Sequence, residues 1–292
     1  MTQLRKMNIL TLTTDSGEKD HYVASLKGLI LSNVNNISIV DISHQISPFN
    51  VSEAARQVRN CIDSFPLGTI HVVGVDDEPK ISPTEDDSAL PAIMKFRDQY
   101  FISVDNGFFG SLLEEEHPQE FYVLPDFVKA KDISSFSMKT VLLPVAIKLI
   151  KSKSIKSFAK PIKRYKRAFS ESVFMGENGM VGQVIHIDVY GNLITNITKE
   201  MFDRYTEFDK FTLFFNAKQY HIESFSSSYN TVPPGEKLAL FNSNGYLEIA
   251  INRAAAKLQG GAEQLFGAKL RDKIRIEFSS RGSHETIDSL FD

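Results

Sequence analysis

Short runs of β-branched residues alternate, over the first half of the chain, with stretches whose apolar residues recur at helical spacing. The runs predict strands and the stretches predict helices. The predicted strands are residues 7–13, 37–42 and 69–75, and the predicted helices are residues 19–32 and 51–65. Asn50 and Glu53 stand at the spacing of a capping box, which marks the start of the second helix. This alternation favours an α/β domain with a mostly parallel sheet.

A predicted hairpin follows, and beyond it the pattern of apolar residues changes from alternating strands and helices to mainly strands. Residues 91–104 suit a β-hairpin that turns at Arg97 and Asp98. Beyond residue 180 the apolar runs are strand-like, with few helices between them, at residues 182–197, 210–215, 219–225, 237–241, 246–251 and 273–278. That pattern is typical of an all-β, barrel-like domain. The predicted organisation is an α/β domain at 1–165, a linker at 166–180, a β-barrel domain at 181–280 and a flexible tail at 281–292.

Length and composition exclude several classes of protein. With 292 residues, 42% of them hydrophobic, the chain can form two compact domains. No run approaches the ~18 apolar residues that cross a bilayer, and Asp15 follows the opening apolar run too closely for a secretory signal. A formal net charge of -3 gives no general reason to expect a nucleic-acid or membrane partner. We therefore expect a cytoplasmic protein that binds neither.

One segment departs from this balance of charge. Residues 148–167 contain nine lysines and arginines and no acidic residue. Taken alone, such a run is typical of an arm that binds nucleic acid. Because Pro161 interrupts the run and its apolar residues require a core, we favour a helix with a solvated face that leads into the interdomain linker.

Cys61 and two histidines each have a structural and a chemical interpretation. Cys61 falls in the apolar pattern of the second predicted helix, so we interpret it as a core residue rather than a nucleophile. His71 lies inside the strand predicted at 69–75, where a hydrogen-bonded structural histidine is commoner than a general base. The same structural interpretation is favoured for His44.

Polar clusters follow three predicted strands of the first domain, at the positions where open α/β sheets bind ligands. In the first cluster, Asp15 accepts from the two hydroxyls of a ribose, or else Thr14 or Asp15 caps the next helix. The third cluster, Asp105-Asn106-Gly107, is notable only for its place at a strand end.

The second cluster is strongly acidic. Asp76, Asp77 and Glu78 follow strand 69–75, and three more carboxylates follow at 85–87. Six carboxylates suit a hard cation, but the regular alternation of a calcium loop is missing. We therefore favour a solvated acidic loop and predict no metal site.

Two polar clusters in the predicted β domain suit a flat heterocycle, or else form ordinary hairpin turns. One reads Asp-Val-Tyr-Gly-Asn from Asp188 to Asn192, and the other is Asn-Ser-Asn-Gly-Tyr from Asn242 to Tyr246. Amides and hydroxyls beside an aromatic ring offer both a stacking face and an edge of donors and acceptors.

Six motifs in collinear order, over about residues 8 to 278, resemble the S-adenosylmethionine (SAM) hydroxide adenosyltransferases, which are related to the fluorinase and chlorinase enzymes. The motifs are TLTTDSG, VDISHQI, GTIHVVGVD, DNG, HIDVYGNLITNI and NSNGYLEIAIN. The resemblance implies an α/β domain followed by a β-barrel, and a homotrimer with its ligand between subunits. It also implies displacement of methionine from SAM at the 5′ carbon of the ribose, with no cofactor beyond SAM as the substrate.

The resemblance also implies roles for individual residues. Asp15 would hold the ribose hydroxyls, Asp188 the methionine amino group and Ser243 the methionine carboxylate. Tyr190 and Asn192 would contact the adenine, and Asn252 falls in the segment whose backbone meets it. Phe136 occupies the family's aromatic position near SAM. The remaining substrate-binding residues are Asp105 and Asn106 of the DNG motif. Asp76 and Ser137 are the predicted catalytic residues, because Asp76 ends the motif GTIHVVGVD as the family Asp does and the Ser137 hydroxyl can hydrogen-bond a water.

The chain departs from the family where water is activated. The family uses an Asp, Arg and His set, and here the Arg loop is replaced by residues 77–83 and the His by Ser137 in Phe-Ser-Met-Lys. Lys80 and Lys139 are the candidates to replace the Arg charge, although a lysine lacks the planar fork of an arginine. Ser16 also stands where the family usually has Phe.

Three functions stay open at this point. The favoured hypothesis is hydrolysis of SAM to adenosine and methionine with an altered water-activating set. The second is a SAM or adenosine-binding protein with little or no turnover. The third is an adenosyltransferase that uses halide, a nucleophile that needs no deprotonation.

Overall fold

The fold is described from a computed structural model over residues 8–82, 88–128, 136–152, 154–167, 172–215, 220–254 and 260–280. The chain divides into two compact units between residues 170 and 171. The predicted tail at 281–292 lies outside the described residues. None of the helices within these ranges has the length and apolar character needed to cross a bilayer.

The first unit is built on a seven-stranded sheet of order β2-β1-β3-β5-β4-β6-β7. Its strands are β1 (Asn8–Thr14), β2 (Ile37–Ser43), β3 (Ile70–Gly74), β4 (Pro91–Phe96), β5 (Gln99–Val104), β6 (Glu120–Val123) and β7 (Lys160–Pro161). Strands β2, β1, β3 and β5 pair in parallel, whereas β4 pairs antiparallel with both β5 and β6. Five of the seven strands therefore point the same way, which confirms the predicted mostly parallel sheet.

Helices cover both faces of this sheet. They are α1 (Tyr22–Asn33), α2 (Val51–Arg59), α3 (Phe108–Leu113), α4 (Pro125–Val128) and α5 (Leu143–Lys151), with a π-helical turn at Met138–Leu142 leading into α5. Buried residues of α1 and α5 pack into the core on one face, and those of α2 and α3 into the core on the other. This sandwich of helices around a sheet is the α/β architecture that the alternating pattern predicts.

The second predicted helix is shorter than expected. Its capping box is confirmed, because the Glu53 backbone N–H donates to Asn50 Oδ1 over 3.1 Å. The α-helix ends at Arg59, however, and the chain continues in a 3₁₀ turn at Ile62–Ser64. Pro66 restricts the residue before it to extended backbone, which stops helical structure from reaching residue 65.

The hairpin at 91–104 is confirmed. Strands β4 and β5 pair antiparallel from Pro91 with Val104 to Phe96 with Gln99. Arg97 and Asp98 form the turn with φ angles of 49° and 55°. Two left-handed residues in a row are the signature of a type I′ turn, whose twist matches that of the strands.

The second unit is an antiparallel sheet that nearly closes into a barrel, as predicted. Its strands are β8 (Phe174–Met175), β9 (Gly179–Ile187), β10 (Leu193–Thr198), β11 (Lys210–Phe215), β12 (His221–Ile222), β13 (Lys237–Phe241), β14 (Tyr246–Ile251) and β15 (Lys273–Ser279), with short helices α6 (Lys199–Phe202) and α7 (Ala262–Phe266). The order is β12-β11-β15-β9-β10-β14-β13, and β8 pairs with β9. The run predicted at 182–197 forms two strands, because a tight turn at 188–192 separates β9 from β10.

The basic segment belongs to the first unit. Its residues form the last turns of α5 and then the edge strand β7, in which Pro161 pairs with Tyr122. An edge strand tolerates a proline, which has no N–H, where the backbone nitrogen faces away from the sheet and no ladder hydrogen bond is lost. The interpretation as a helix leading into a connection therefore agrees with the structure up to residue 167.

Candidate functional site

Polar side chains of the first unit gather where parallel strands end. Asp15 follows β1, Asp76 and Asp77 follow β3, and Asp105 and Asn106 follow β5. Because β1, β3 and β5 are neighbours in parallel pairing, these residues lie along one edge of the sheet. We name this group the strand-end cluster.

Asp15 does not cap a helix. Helix α1 begins at Tyr22 and its N-cap residue is His21, so the capping alternative for Thr14 and Asp15 is wrong. Instead, Asp15 Oδ2 accepts from the backbone N–H of Phe49 over 2.9 Å. A carboxylate has about four acceptor positions, so Asp15 retains the capacity to accept from a pair of hydroxyls.

His44 supports the loop that contains Asp15. Its Nδ1 lies 2.8 Å from the Thr14 hydroxyl, and its Nε2 lies 3.1 Å from Asp41 Oδ1, although outside hydrogen-bond alignment. Burial acts to raise the pKa of Asp41, but the neighbouring Lys27 and His44 outweigh it and lower that pKa. His44 is buried, and its carbonyl accepts from Gly17 N–H over 2.8 Å, so its role is structural.

His71 is a structural histidine, as predicted. Its Nε2 donates to Gln99 Oε1 over 2.5 Å and its Nδ1 accepts from the Thr11 hydroxyl over 2.8 Å. The Gln99 amide nitrogen is fixed by the Ile62 carbonyl, which leaves its oxygen to face the ring. Burial lowers the pKa of His71 to about 4. A neutral imidazole thus links β1, β3 and β5 beneath the strand-end cluster.

Asp76 and Asp77 are adjacent but differ in environment. Asp76 is exposed and has a left-handed backbone with a φ of 48°. Asp77 is partly buried, and its Oδ2 is fully buried without a hydrogen-bond partner among the described residues. Burial, and then the charge of Asp15, raise the pKa of Asp77 to about 6. The sequence contains two equivalent acids here, whereas the fold turns only one of them inward.

Asn106 fixes the backbone that leads into this pair. Its side-chain amide donates to the carbonyls of Val75 over 3.1 Å and Asp76 over 2.8 Å. Its Oδ1 accepts from the Phe108 N–H over 3.2 Å. Asn106 was predicted to bind substrate, and these bonds give it a bracing role between the ends of β3 and β5.

Asp105 points elsewhere within the same unit. Its two carboxylate oxygens accept from the backbone N–H of Lys166, over 3.0 and 3.2 Å. Burial raises the pKa of Asp105, and the Lys166 N–H opposes that shift. Asp105 therefore anchors the basic segment, and these contacts do not bring its carboxylate to the other acids of the strand-end cluster.

The segment Phe136–Met138 closes against the strand-end cluster. Met138 packs on Gly74, where an added Cβ would lie 2.5 Å from the Met138 sulfur. Phe136 makes an edge-to-face contact with Tyr22, with ring centroids 5.1 Å apart. Ser137, which lies between Phe136 and Met138 in the chain, is buried. The backbone N–H of Met138 acts on the Asp77 carboxylate and lowers its pKa. The structure thus brings the backbone that directly follows the predicted Ser137 to the inward-facing acid.

The lysines considered as replacements for the family arginine are placed differently. Lys139 Nζ donates to the Ser25 hydroxyl of α1 over 2.5 Å. Lys80 is exposed, and its backbone pairs with Ala89.

In the second unit, residues 188–192 form the turn between β9 and β10. Asp188 Oδ1 accepts from the N–H groups of Tyr190 and Asn192, each over 2.9 Å, and its Oδ2 accepts from the Asn192 side chain over 3.0 Å. The Tyr190 side chain is 59% exposed. The turn therefore uses the carboxylate internally and presents the aromatic ring outward. We name it the barrel turn.

Asn252 lies at the same end of the sheet as the barrel turn. Leu193 pairs with Ile249, so the end of β14 approaches the start of β10. Asn252 is buried and its side chain donates to the Val232 carbonyl over 2.6 Å. Asn252 therefore shapes the backbone at this end of the sheet.

Ser243 lies at the opposite end of that strand pair. It is exposed in the turn before β14, where Lys199 N–H donates to the Gly245 carbonyl over 2.8 Å. From Gly245 to Ile249 the strand extends about 13 Å. The pairing therefore does not bring Ser243 beside Asp188, the two residues predicted to hold one methionine.

A buried carboxylate that is not among the residues predicted from the sequence lies between these two ends. Glu248 is buried in β14; it accepts from the Tyr229 hydroxyl and, over 3.3 Å, from the Asn242 side chain. Burial, the Glu248 hydrogen bond and the charge of Asp188 raise the pKa of Tyr229. A strictly local pattern, an acid at an inward position of a strand, was the only available signal for Glu248.

The metal and nucleophile alternatives gain no support. Among the residues that the structure describes, no cluster of His, Cys, Asp and Glu side chains is arranged to hold a metal ion. The acids at 85–87 lie outside the described residues. Burial raises the pKa of Cys61 to about 11, and its thiol donates to the Val58 carbonyl, so this cysteine is a poor nucleophile.

Models of both domains of one family match the chain. The SAM hydroxide adenosyltransferase N-terminal domain matches residues 10–159, and the C-terminal domain matches residues 182–275. The chain belongs to the SAM hydroxide adenosyltransferase family. The two matches fall one in each compact unit.

Relatives in this family cover nearly the whole chain. A protein from Methanocaldococcus jannaschii named (R)-S-adenosyl-L-methionine hydrolase is 26% identical, over 92% of this chain and 96% of its own. A fluorinase from Nocardia brasiliensis is 25% identical, over 85% and 91%. A crystal structure of an uncharacterized conserved protein from Thermotoga maritima superposes with a TM-score of 0.77 at 27% identity, covering 92% of this chain and 99% of that one. The resemblance drawn from the six motifs is thereby confirmed.

Proposed function

We propose that this member of the SAM hydroxide adenosyltransferase family hydrolyses SAM to adenosine and methionine. The observation that carries the proposal is the match of both family domains over almost the full length of the chain. Relatives named (R)-S-adenosyl-L-methionine hydrolase support water as the nucleophile and the R configuration at sulfur for the substrate. Fluorinase relatives support the same displacement chemistry.

The reaction is an in-line displacement at the 5′ carbon of the ribose. The water oxygen bonds to C5′, the C5′–S bond breaks, and its electron pair stays on the sulfur of methionine. A sulfonium is already a good leaving group, so the protein must align the water, exclude other solvent and accept one proton. The strand-end cluster offers carboxylates for the proton and for the ribose hydroxyls.

Residue roles in the proposal follow the geometry as well as the resemblance. Asp15 holds the ribose hydroxyls, since its carboxylate has unused acceptor positions. Tyr190 supplies the stacking face for adenine, and its ring is exposed on a turn that Asp188 and Asn192 hold rigid. The homotrimer with sites between subunits, the assignment of Ser243 to methionine and a cytoplasmic location belong to the same proposal.

Incubation of the purified full-length protein with each sulfonium epimer of SAM tests the function. We expect adenosine and methionine in equal amounts, faster from the R epimer, and an Asp15→Ala variant that binds adenosine at least ~10-fold more weakly by calorimetry. Asp203→Ala, which changes an exposed acid of an ion pair in the second unit, is the control.

Three results would contradict the proposal in different ways. Binding of SAM without adenosine formation would favour the binding-protein alternative. A 5′-halo nucleoside formed only with chloride or fluoride would favour the halide alternative. Normal adenosine binding by Asp15→Ala would reject the ribose assignment.

A further inference from the structure

Two neighbouring carboxylates that follow β3 have different environments. Asp76, the predicted catalytic acid, is exposed at the tip of the loop with a left-handed backbone. Asp77 turns inward, so that its Oδ2 is shielded from solvent and makes no hydrogen bond within the described part of the chain. A buried oxygen without a donor destabilises the folded protein. Such a cost is tolerated where a ligand or a reaction uses the group.

The surroundings of Asp77 are built by close packing. Because Gly74 has no side chain, Met138 can lie against the end of β3, at a place where a Cβ would be 2.5 Å from its sulfur. This approach brings the Met138 N–H to the Asp77 carboxylate. It also places Ser137, which is buried, next in the chain to that contact. The Asp77 carboxylate is thus held on one side by backbone, while its Oδ2 is buried without a hydrogen-bond donor among the described residues.

The charges that face Asp77 are negative. Asp15 and Asp76 both act to raise its pKa, in addition to burial, whereas its own N–H and that of Met138 lower it. Asp15 is the residue assigned to the ribose. A group beside Asp15 is therefore near the sugar whose 5′ carbon reacts.

We propose that Asp77, rather than Asp76, accepts the proton of the attacking water. The assignment rests on the proposed hydrolysis. As the water oxygen bonds to C5′ and the C5′–S pair leaves with methionine, one water proton passes to Asp77 Oδ2 and is later released to solvent. The inward carboxylate takes the part of the histidine that this chain lacks.

The acid strength of Asp77 suits this task. A base is most effective when its pKa approaches the working pH and it is still ionised. The pKa of Asp77 is raised to about 6, mainly by burial, so at pH 7 to 8 it is a carboxylate of greater than usual basicity. Asp76 is exposed and has no comparable burial.

Single-turnover hydrolysis by four variants of the loop tests the proposal. Asp77→Asn should slow adenosine formation by at least ~100-fold while SAM affinity stays within ~3-fold of wild type. Asp76→Asn should lose less than ~10-fold, and the exposed Glu78→Gln is the matched control with wild-type rates. Asp77→Glu keeps a carboxylate and should recover part of the loss. Circular dichroism and the melting temperature establish that each variant is folded.

The pH profile separates a base from a merely structural residue. The wild-type rate should rise tenfold per pH unit below the pKa of Asp77 and then level off, whereas the residual rate of Asp77→Asn should lack that step.

The outcomes separate a failure of the Asp77 assignment from a failure of the proposed SAM hydrolysis. If the wild type is active, two results would overturn the assignment and leave the hydrolase proposal standing. One is an Asp77→Asn variant that still forms adenosine at the wild-type rate, and the other is a larger loss of rate in Asp76→Asn than in Asp77→Asn. An Asp77→Asn variant that loses affinity but not rate would do the same. A wild type that forms no adenosine from either epimer would overturn both.

Discussion

The two polar regions of this protein satisfy their hydrogen bonds in opposite ways. In the barrel turn, both oxygens of Asp188 accept from the turn itself, and Asn252 is bonded to the Val232 carbonyl. In the strand-end cluster, Asp77 keeps a buried oxygen without a partner and faces the like charge of Asp15. The first arrangement stabilises a shape, and the second stores unfavourable energy at a place where a proton can be received.

This difference suggests a division of labour between the units. A rigid turn that presents Tyr190 suits the proposed recognition of adenine, because a surface that does not rearrange loses less entropy on binding. A strained cluster of carboxylates suits chemistry, because its protonation changes easily near neutral pH. Changes in the barrel turn should therefore lower stability and affinity together, whereas changes in the strand-end cluster should lower activity while stability is kept or gained.

The largest effect is expected from Gly261→Ala. A Cβ at this position would lie 2.2 Å from the Tyr190 carbonyl oxygen and 2.7 Å from Gly191 Cα, both of them backbone atoms that cannot rotate away. We expect a loss of about 3 kcal/mol in the free energy of unfolding and at least a ~10-fold loss of adenosine affinity. Urea unfolding followed by circular dichroism, together with calorimetry, measures both.

Gly28→Ala is the control for that substitution. Gly28 lies in α1, has no atom within 4 Å of an added Cβ, and should gain about 0.5–1 kcal/mol from helix propensity. If Gly261→Ala were as stable as wild type, the barrel turn would be adaptable and the contrast between the two regions would fail.

The next largest effect concerns the pH dependence of stability. Asp77 has its pKa raised from 3.8 to about 6, so it stabilises the fold most at low pH, and that contribution is lost as the pH rises through 6. His71 has its pKa lowered from 6.5 to about 4, so its contribution is complete above 6.5 and is lost as the pH falls towards 4. The two effects oppose each other between pH 4 and 6, each with a slope of about 1.4 kcal/mol per pH unit.

Asp77→Asn removes one side of this balance. Its free energy of unfolding, relative to wild type, should increase from pH 4 to pH 6 and reach a gain of at most about 3 kcal/mol. Urea titrations at several pH values measure that difference, and Glu78→Gln should show none. A difference that is flat with pH would mean that Asp77 is not destabilised in the folded protein, which would remove the energetic side of the contrast.

The fold could be predicted from the sequence because its signals are local and repeated. Helical and strand spacing, the Asn50 capping box and the turn at Arg97 and Asp98 each act over a few residues, and the structure agrees with each of them. The exceptions are also local: Pro66 shortens a predicted helix, and the barrel turn divides a predicted strand.

The site was less predictable because it depends on which side of the backbone a residue faces. Adjacent Asp76 and Asp77 have the same chemistry in sequence, but in the fold Asp76 has a left-handed φ and is exposed, whereas Asp77 turns inward. Asp105 follows a strand as a ligand residue would, yet its carboxylate accepts from Lys166, 61 positions away. Long-range contacts of this kind cannot be predicted from the spacing of residues along the chain.

The smallest effect is expected from Asp188→Asn, and it discriminates between shape and direct contact. An asparagine has a single side-chain oxygen, so the turn loses at least one of three hydrogen bonds, which should cost about 1 kcal/mol of stability. Adenosine affinity should fall by a similar factor, about 5-fold, because a looser turn presents Tyr190 less well. Thermal melting and calorimetry on Asp188→Asn, with Asp203→Asn as an exposed control, measure the two together. An affinity loss beyond ~10-fold at an unchanged melting temperature would instead make Asp188 a direct ligand of the substrate, because no weakening of the turn would then account for it.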